Sequence, residues 1–216
     1  MKIKIYLIVS ILFLSITSVL AQTDEDLQKL SIFSEYVKAK NYNAAYAPWM
    51  ELRIASPRIN KAIYVFGDRI LTDKISNSEG EEKTKYILDL LKLWEERRTV
   101  FPNITPQGAY LAKASQLKYD NQKLLGESKE DLYTAFDAAY ITDAKTFTNP
   151  KSLYTYFSLM VDLYDSSLKS AQELFSKYDD ISEKIDFEVK NYTNKRNAFL
   201  GEDGEVLELS RKDTSR

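Results

Sequence analysis

Apolar residues recur three and four positions apart along most of the chain, as in Ile87, Leu90, Leu91 and Trp94, or in Leu132, Ala135, Phe136 and Ala139. That spacing gathers them on one face of a 3.6-residue turn. No segment alternates apolar and polar residues over strand length between turn signals, so an all-α chain is expected. Helix starts are marked by a capping side chain followed by a first-turn acid or a proline: Thr23 with Asp26, Asn41, Ser56-Pro57, Ser78 with Glu81, Thr105-Pro106, Ser128 with Asp131, and Asn149-Pro150. They predict seven short helices followed by one long one.

The long helix is expected from Ser167 to about Arg196, a stretch without Gly or Pro that spans about 45 Å at 1.5 Å per residue. Glu173 with Lys177, Asp180 with Lys184 and Asp186 with Lys190 are acid-to-base pairs at i, i+4, and predict a solvated side. Ala171, Leu174, Tyr178, Ile181, Ile185, Val189 and Tyr192 form the opposite side at the spacing of a helix–helix seam. The preceding helix, Leu153 to Tyr164, is too short to cover all of it. Ile181, Ile185, Val189 and Tyr192 are therefore expected to project and bind a second copy, a partner helix or the continuation of a longer chain; the alternative is that this half folds back on another part of the same domain.

Composition narrows the chemistry. Six Gly and five Pro in 216 residues make about 5%, against roughly 12% in average proteins, too little turn material for a many-stranded β architecture. With no Cys and no His, thiolate and imidazole catalysis, disulfides and imidazole metal ligation are excluded. The adjacent acids Glu95-Glu96, Asp179-Asp180 and Glu202-Asp203 point about 100° apart on a helix and do not converge as a glycosidase pair would. They read as solvated charge. Glu202-Asp203-Gly204-Glu205 lacks the alternating ligands of a calcium loop. No catalytic residue, cofactor or metal is expected. Fifteen Tyr, ten Phe and two Trp raise the thought of a glycan platform at Tyr154, Tyr156, Phe157 and Tyr164, but their spacing fits groove fillers between helices.

Residues 1–21 read as a cleavable secretory signal: Lys2 and Lys4, an apolar run from Ile5 to Leu20, and a cleavage site after Ala21. Its 16 residues fall short of the ~20 that span a bilayer. The mature chain would begin near Gln22 with 28 basic and 32 acidic residues, a net charge of −4. That mildly acidic balance argues against nucleic acid and anionic lipid as partners. Export without cysteine points to a bacterial periplasm or cell exterior.

From Ile32 to Pro57, the residues Ile32, Phe33, Tyr36, Tyr42, Ala45, Trp49, Leu52 and Pro57 stand at a spacing that resembles a tetratricopeptide (TPR) repeat. Phe33, Lys40 and Leu52 depart from its usual small residues. Looser pairs follow: Phe66, Gly67 and Ile70 with Leu90, Trp94 and Pro102, the stretch from Thr72 to Lys83 inserting about ten residues in that hairpin; Gly108 to Tyr119 with Leu132, Phe136 and Ala139; and Leu153 to Tyr164 with Leu168, Ala171 and Phe175. Over Leu27 to Asn197 the chain is similar to exported TPR-like proteins of Gram-negative bacteria, many of them longer, which suggests a truncated or shortened member. The resemblance implies TPR-like antiparallel helix pairs (an α-solenoid) over 22–197 ending in the long helix at about 167–196, with a flexible tail at 198–216. It also implies a concave face built from exposed positions such as Tyr64, Arg69, Lys113, Gln116 and Tyr156. The function it implies is a non-catalytic scaffold for a protein or peptide partner, and the alternative is a module that binds a glycan or other small ligand.

Overall fold

The computed structural model describes residues 24–199. The proposed signal over 1–21, its cleavage site, the Thr23 cap and the tail from 200 lie outside them. Every regular element among the described residues is helical, and the chain divides between Pro106 and Gln107 into two compact units.

In the first unit, α1 runs over 24–38, α2 over Tyr42–Ala55, α3 over Ala62–Ser76 and α4 over Gly80–Val100, and a 3₁₀ turn follows at Pro102–Ile104. Neighbours in sequence pack antiparallel. Asp26 near the start of α1 accepts from Ser56 Oγ just past α2, and Lys74 near the end of α3 reaches Asn43 near the start of α2 at 2.6 Å. Tyr64 at the start of α3 meets Phe101 after α4 edge to face at 5.8 Å. The spacing of the apolar residues is repaid in the core, where Phe33, Val37, Ala45, Trp49, Leu52, Ile70, Leu71, Ile87, Leu90 and Leu93 are buried. Ile32 and Tyr36, expected as fillers on α1, are instead substantially exposed.

Three expected starts hold locally. Asn41 Oδ1 accepts from Ala44 N, Ser128 Oγ from Asp131 N and Asn149 Oδ1 from Ser152 N. Three do not. Ser78 Oγ donates back to Lys74 O and Thr105 Oγ1 to Phe101 O, so each hydroxyl closes the preceding helix. Ser56 is spent on Asp26, and α3 starts only after Asn60, which accepts from Ala62 N at 2.8 Å. The insertion expected between Thr72 and Lys83 is absorbed by longer helices: α3 continues to Ser76 and α4 begins at Gly80.

In the second unit, α5 is Gln107–Asp120, α6 the single turn Gln122–Leu125, α7 Lys129–Asp143, α8 Pro150–Asp165 and α9 Ala171–Phe199. The pairs α5–α7, α7–α8 and α8–α9 pack side by side. Gly108 lies against the end of α7 so closely that a Cβ there would stand 2.0 Å from Asp143 O. In return Asp143 and Thr146 cap α5: Gly108 N donates to Asp143 Oδ2 and Ala109 N to Thr146 Oγ1, both at 3.2 Å. These bonds, that from the Thr146 hydroxyl foremost, pull the Asp143 carboxyl below its ordinary range. The core joins Leu132, Phe136 and Ala139 of α7 to Leu153, Tyr156 and Leu159 of α8 and Ile181 of α9.

The long helix starts later than its Gly- and Pro-free sequence predicts. Ser167 takes the left-handed conformation at φ 59°, which ends α8, and Ser170 opens α9 with a reciprocal cap. Glu173 N donates to Ser170 Oγ at 3.3 Å while Ser170 N donates to Glu173 Oε2 at 2.9 Å, the arrangement that Ser-x-x-Glu encodes.

Candidate functional site

At 16 and 29 residues, α8 and α9 are about 24 and 43 Å long, so α9 outruns its neighbour by almost four turns. Within the unit α8 is the helix packed along it; α7 meets it through side chains such as Lys177 and Tyr140. The two helices leave between them an apolar groove of about 260 Å³ lined by Pro150, Leu153, Tyr154 and Phe157 on one wall and Tyr178, Ile181, Ile185, Val189 and Tyr192 on the other.

The seam read from the sequence is thus partly filled. Ile181 is 3% exposed and belongs to the core, whereas Ile185, Val189 and Tyr192 are 42%, 58% and 54% exposed. Tyr154 and Tyr178 share that exposure, although the spacing of Tyr178 fits a helix seam. Ala171 and Phe175, expected to complete the fourth pair, are exposed, and so is Leu168. Leu174 and Ile181 take that place because Ser170 sets where α9 begins.

The expected solvated pairs on α9 are re-dealt. Lys177 turns inward to Asp137 at 3.1 Å and to the Tyr156 hydroxyl at 2.7 Å, and Lys184 is 9% exposed and bonded to Glu188 at 2.7 Å. Glu173 pairs with Lys169 at 2.8 Å. The fifth concave-face residue, Tyr156, is fully buried beneath Tyr133, Phe136, Tyr140 and Phe147, with ring centres 5.5–6.2 Å away. Its hydroxyl donates to Asp137 and accepts from Lys177. Burial, with the Asp137 carboxylate, raises the Tyr156 phenol far above its ordinary range, and burial pushes Tyr133 up to about 12. A phenol so held stays neutral, and the network ties α7, α8 and α9 together.

The first unit carries a second concavity, about 610 Å³, whose lining includes Met50, Arg53 and Ile54 of α2, Tyr64 of α3, and Asp89, Glu96 and Val100 of α4. Arg53, its side chain 4% exposed, is gripped by Glu96 at 2.7 Å and Asp89 at 2.9 Å, and lies over the Trp49 ring at 5.2 Å. Glu96 is therefore no merely solvated acid. The carboxylates here grip the guanidinium, and Glu95 pairs with Arg98 at 3.0 Å.

Of the other residues expected on a concave face, Tyr64 is 1% exposed and Gln116 8%, so neither is the open position predicted; helix periodicity gives the face but not which neighbour covers it. The Tyr64 hydroxyl has no hydrogen-bond partner among the described residues. Arg69 and Lys113 are exposed, Arg69 over the Phe66 ring at 5.5 Å. Only Ile181, Ile185, Val189 and Tyr192, of the predicted residues, are brought together with one another.

Among the described residues no cluster of three or more acids could hold a metal ion, and no helix is long and apolar enough to cross a membrane. No protein-family model, no curated protein and no solved structure matches the chain.

Proposed function

We propose that the protein is a non-catalytic, exported helical scaffold of TPR-like antiparallel helix pairs, and that it binds an amphipathic helix of a protein partner in the bacterial envelope. The observation that carries this reading is the groove between α8 and α9, where Tyr154, Tyr178, Ile185, Val189 and Tyr192 offer apolar surface that no element among the described residues of their own unit covers. Contiguous apolar exposure of this kind on a folded domain marks an interaction surface, and a groove between two helices accepts a third through side chains at threes and fours. The signal-like N-terminus supports an address outside the cytoplasm.

A photocrosslinking residue at position 189, with one at the exposed Leu88 of α4 as control, tests it in cells. The reading expects an adduct from position 189 alone, mapping to a peptide with apolar residues at helical spacing. No adduct above the control would overturn it.

A second reading, a module for a glycan or other small ligand, is favoured by one observation. Tyr64 lines the concavity of the first unit with an unsatisfied hydroxyl, and a cavity of that size is typical of small-ligand sites. A glycan array with the wild type and Tyr64→Phe decides it: loss of a signal in the variant supports the reading, and absence of any wild-type signal overturns it.

A further inference from the structure

Building on the reading of the α8–α9 groove as a helix-binding surface, we infer that its occupant is α9 of a second copy of this chain, packed antiparallel across a two-fold axis near residue 187. Two features identify the partner. The first is the distribution of charge along α9. Its solvent-facing acids, Glu173, Asp179, Asp180, Glu183 and Asp186, all precede residue 187, and its solvent-facing bases, Lys190, Lys195 and Arg196, all follow it. Of the ions that would blur this division, Lys177 is held by Asp137, and Lys184 and Glu188, the latter on the groove wall, neutralise each other at 2.7 Å. A parallel pairing of two such helices sets like charges side by side, whereas an antiparallel one sets each acidic half against a basic half.

The second feature is register. Turning one α9 end for end about residue 187 places Ile185 opposite Val189 of the other copy, Ser182 opposite Tyr192, and Tyr178 opposite Arg196. Ile185 and Val189 are thereby self-complementary at the centre of the stripe, as a two-fold interface requires. On the flank beside it, Lys190 of one copy lies two residues, about 3 Å along the axis, from the position opposite Asp186 of the other, within reach of the lysine side chain, twice by symmetry. The small Ser182 opposite Tyr192 leaves room for the ring in the groove wall. Only a few apolar side chains from each copy take part, so the interface falls below about 1,200 Å², in the reversible class rather than the obligate one.

Sedimentation of the mature chain over about 1 to 200 µM tests this. The wild type should pass from monomer to dimer, and Val189→Glu with Tyr192→Glu should remain monomeric at the wild-type melting temperature, because both side chains are exposed. Asp186→Lys and Lys190→Glu should each weaken self-association by roughly tenfold, and an equimolar mixture of the two should recover it, since the mixed pair restores unlike charge at both symmetric contacts. A wild type that stays monomeric throughout, or charge variants that associate alone as well as mixed, would overturn the inference. The crosslink at position 189 keeps the two readings apart. An adduct of twice the chain mass supports the self-pairing, an adduct with a different protein refutes it and leaves the helix-binding groove standing, and no adduct removes both.

Discussion

The Cβ that Gly67 lacks would fall 2.5 Å from Cζ2 of Trp49. Trp49 cannot give way, since it is fully buried and its Nε1 donates to Ile63 O at 2.8 Å. Gly67→Ala therefore gains helix propensity worth up to about 1 kcal/mol and meets an overlap that costs more. We expect net destabilisation of about 1–3 kcal/mol, read by urea unfolding together with a shift of Trp emission. A variant as stable as the wild type would show that α2 and α3 separate freely.

Arg53 and its two carboxylates behave as a unit. Glu96→Gln leaves a guanidinium that is 4% exposed with one partner, while Arg53→Met fills the same space and releases two acids that are 24% and 31% exposed and so reach water. With that partial exposure discounted, Glu96→Gln should cost about 1–3 kcal/mol alone and markedly less when Arg53 is already Met. A double-mutant cycle with coupling below about 0.3 kcal/mol would refute the clamp.

Alkaline pH should unfold the second unit through Tyr133 and Tyr156. Their folded pKa values are raised, Tyr133 to about 12, so the stability they contribute is complete below the unfolded value of about 10 and is lost as pH rises beyond it. Phenolate absorbance should show both rings resisting ionisation until the helical signal falls. In Tyr156→Phe the alkaline transition should be shallower, and an unchanged profile would detach this network from stability.

Acid acts at the other end of α9. Glu173 is held down to about 2 by Lys169 and then by Ser170, so the cap it completes is intact above about pH 4.5 and weakens as pH falls toward 2. Amide protection factors at residues 170–173, corrected for intrinsic exchange, should fall over that window in the wild type and be low and independent of pH in Glu173→Ala. Identical pH dependence in the two proteins would exclude the cap as its source.

Some local signals in the chain proved readable, while Ser78 and Thr105 show that a hydroxyl can instead bond back to the preceding turn. Asn41, Ser128 and Asn149 cap the helices that follow them, and the apolar faces of α2, α4 and α7 are those their spacing predicts. Ser170-x-x-Glu173 was equally readable, hidden only by the habit of ending helices at Gly or Pro. Where tertiary partners compete, the local rule fails. Lys177 has Glu173 one turn away and bonds Asp137, 40 residues off, because the buried Tyr156 hydroxyl and that carboxylate offer a drier site. Tyr64 and Tyr156 fail for the same reason: periodicity assigns a side chain to a face, and only the neighbouring helix decides whether that face is open. Ile185, Val189 and Tyr192 were legible because their lack of cover follows from the lengths of two adjacent helices.

The cap of α5 gives the second unit an order of assembly. Helices usually find the partners for their first amides within the next few residues, and so can flicker into existence before anything else has formed. The amides of Gly108 and Ala109 instead wait for Asp143 and Thr146, more than thirty residues later in synthesis. Until α7 is complete, the start of α5 is left fraying in water. Once it arrives, the two ends are released together or not at all, so opening at residue 108 is as rare an event as the parting of the α5–α7 pair.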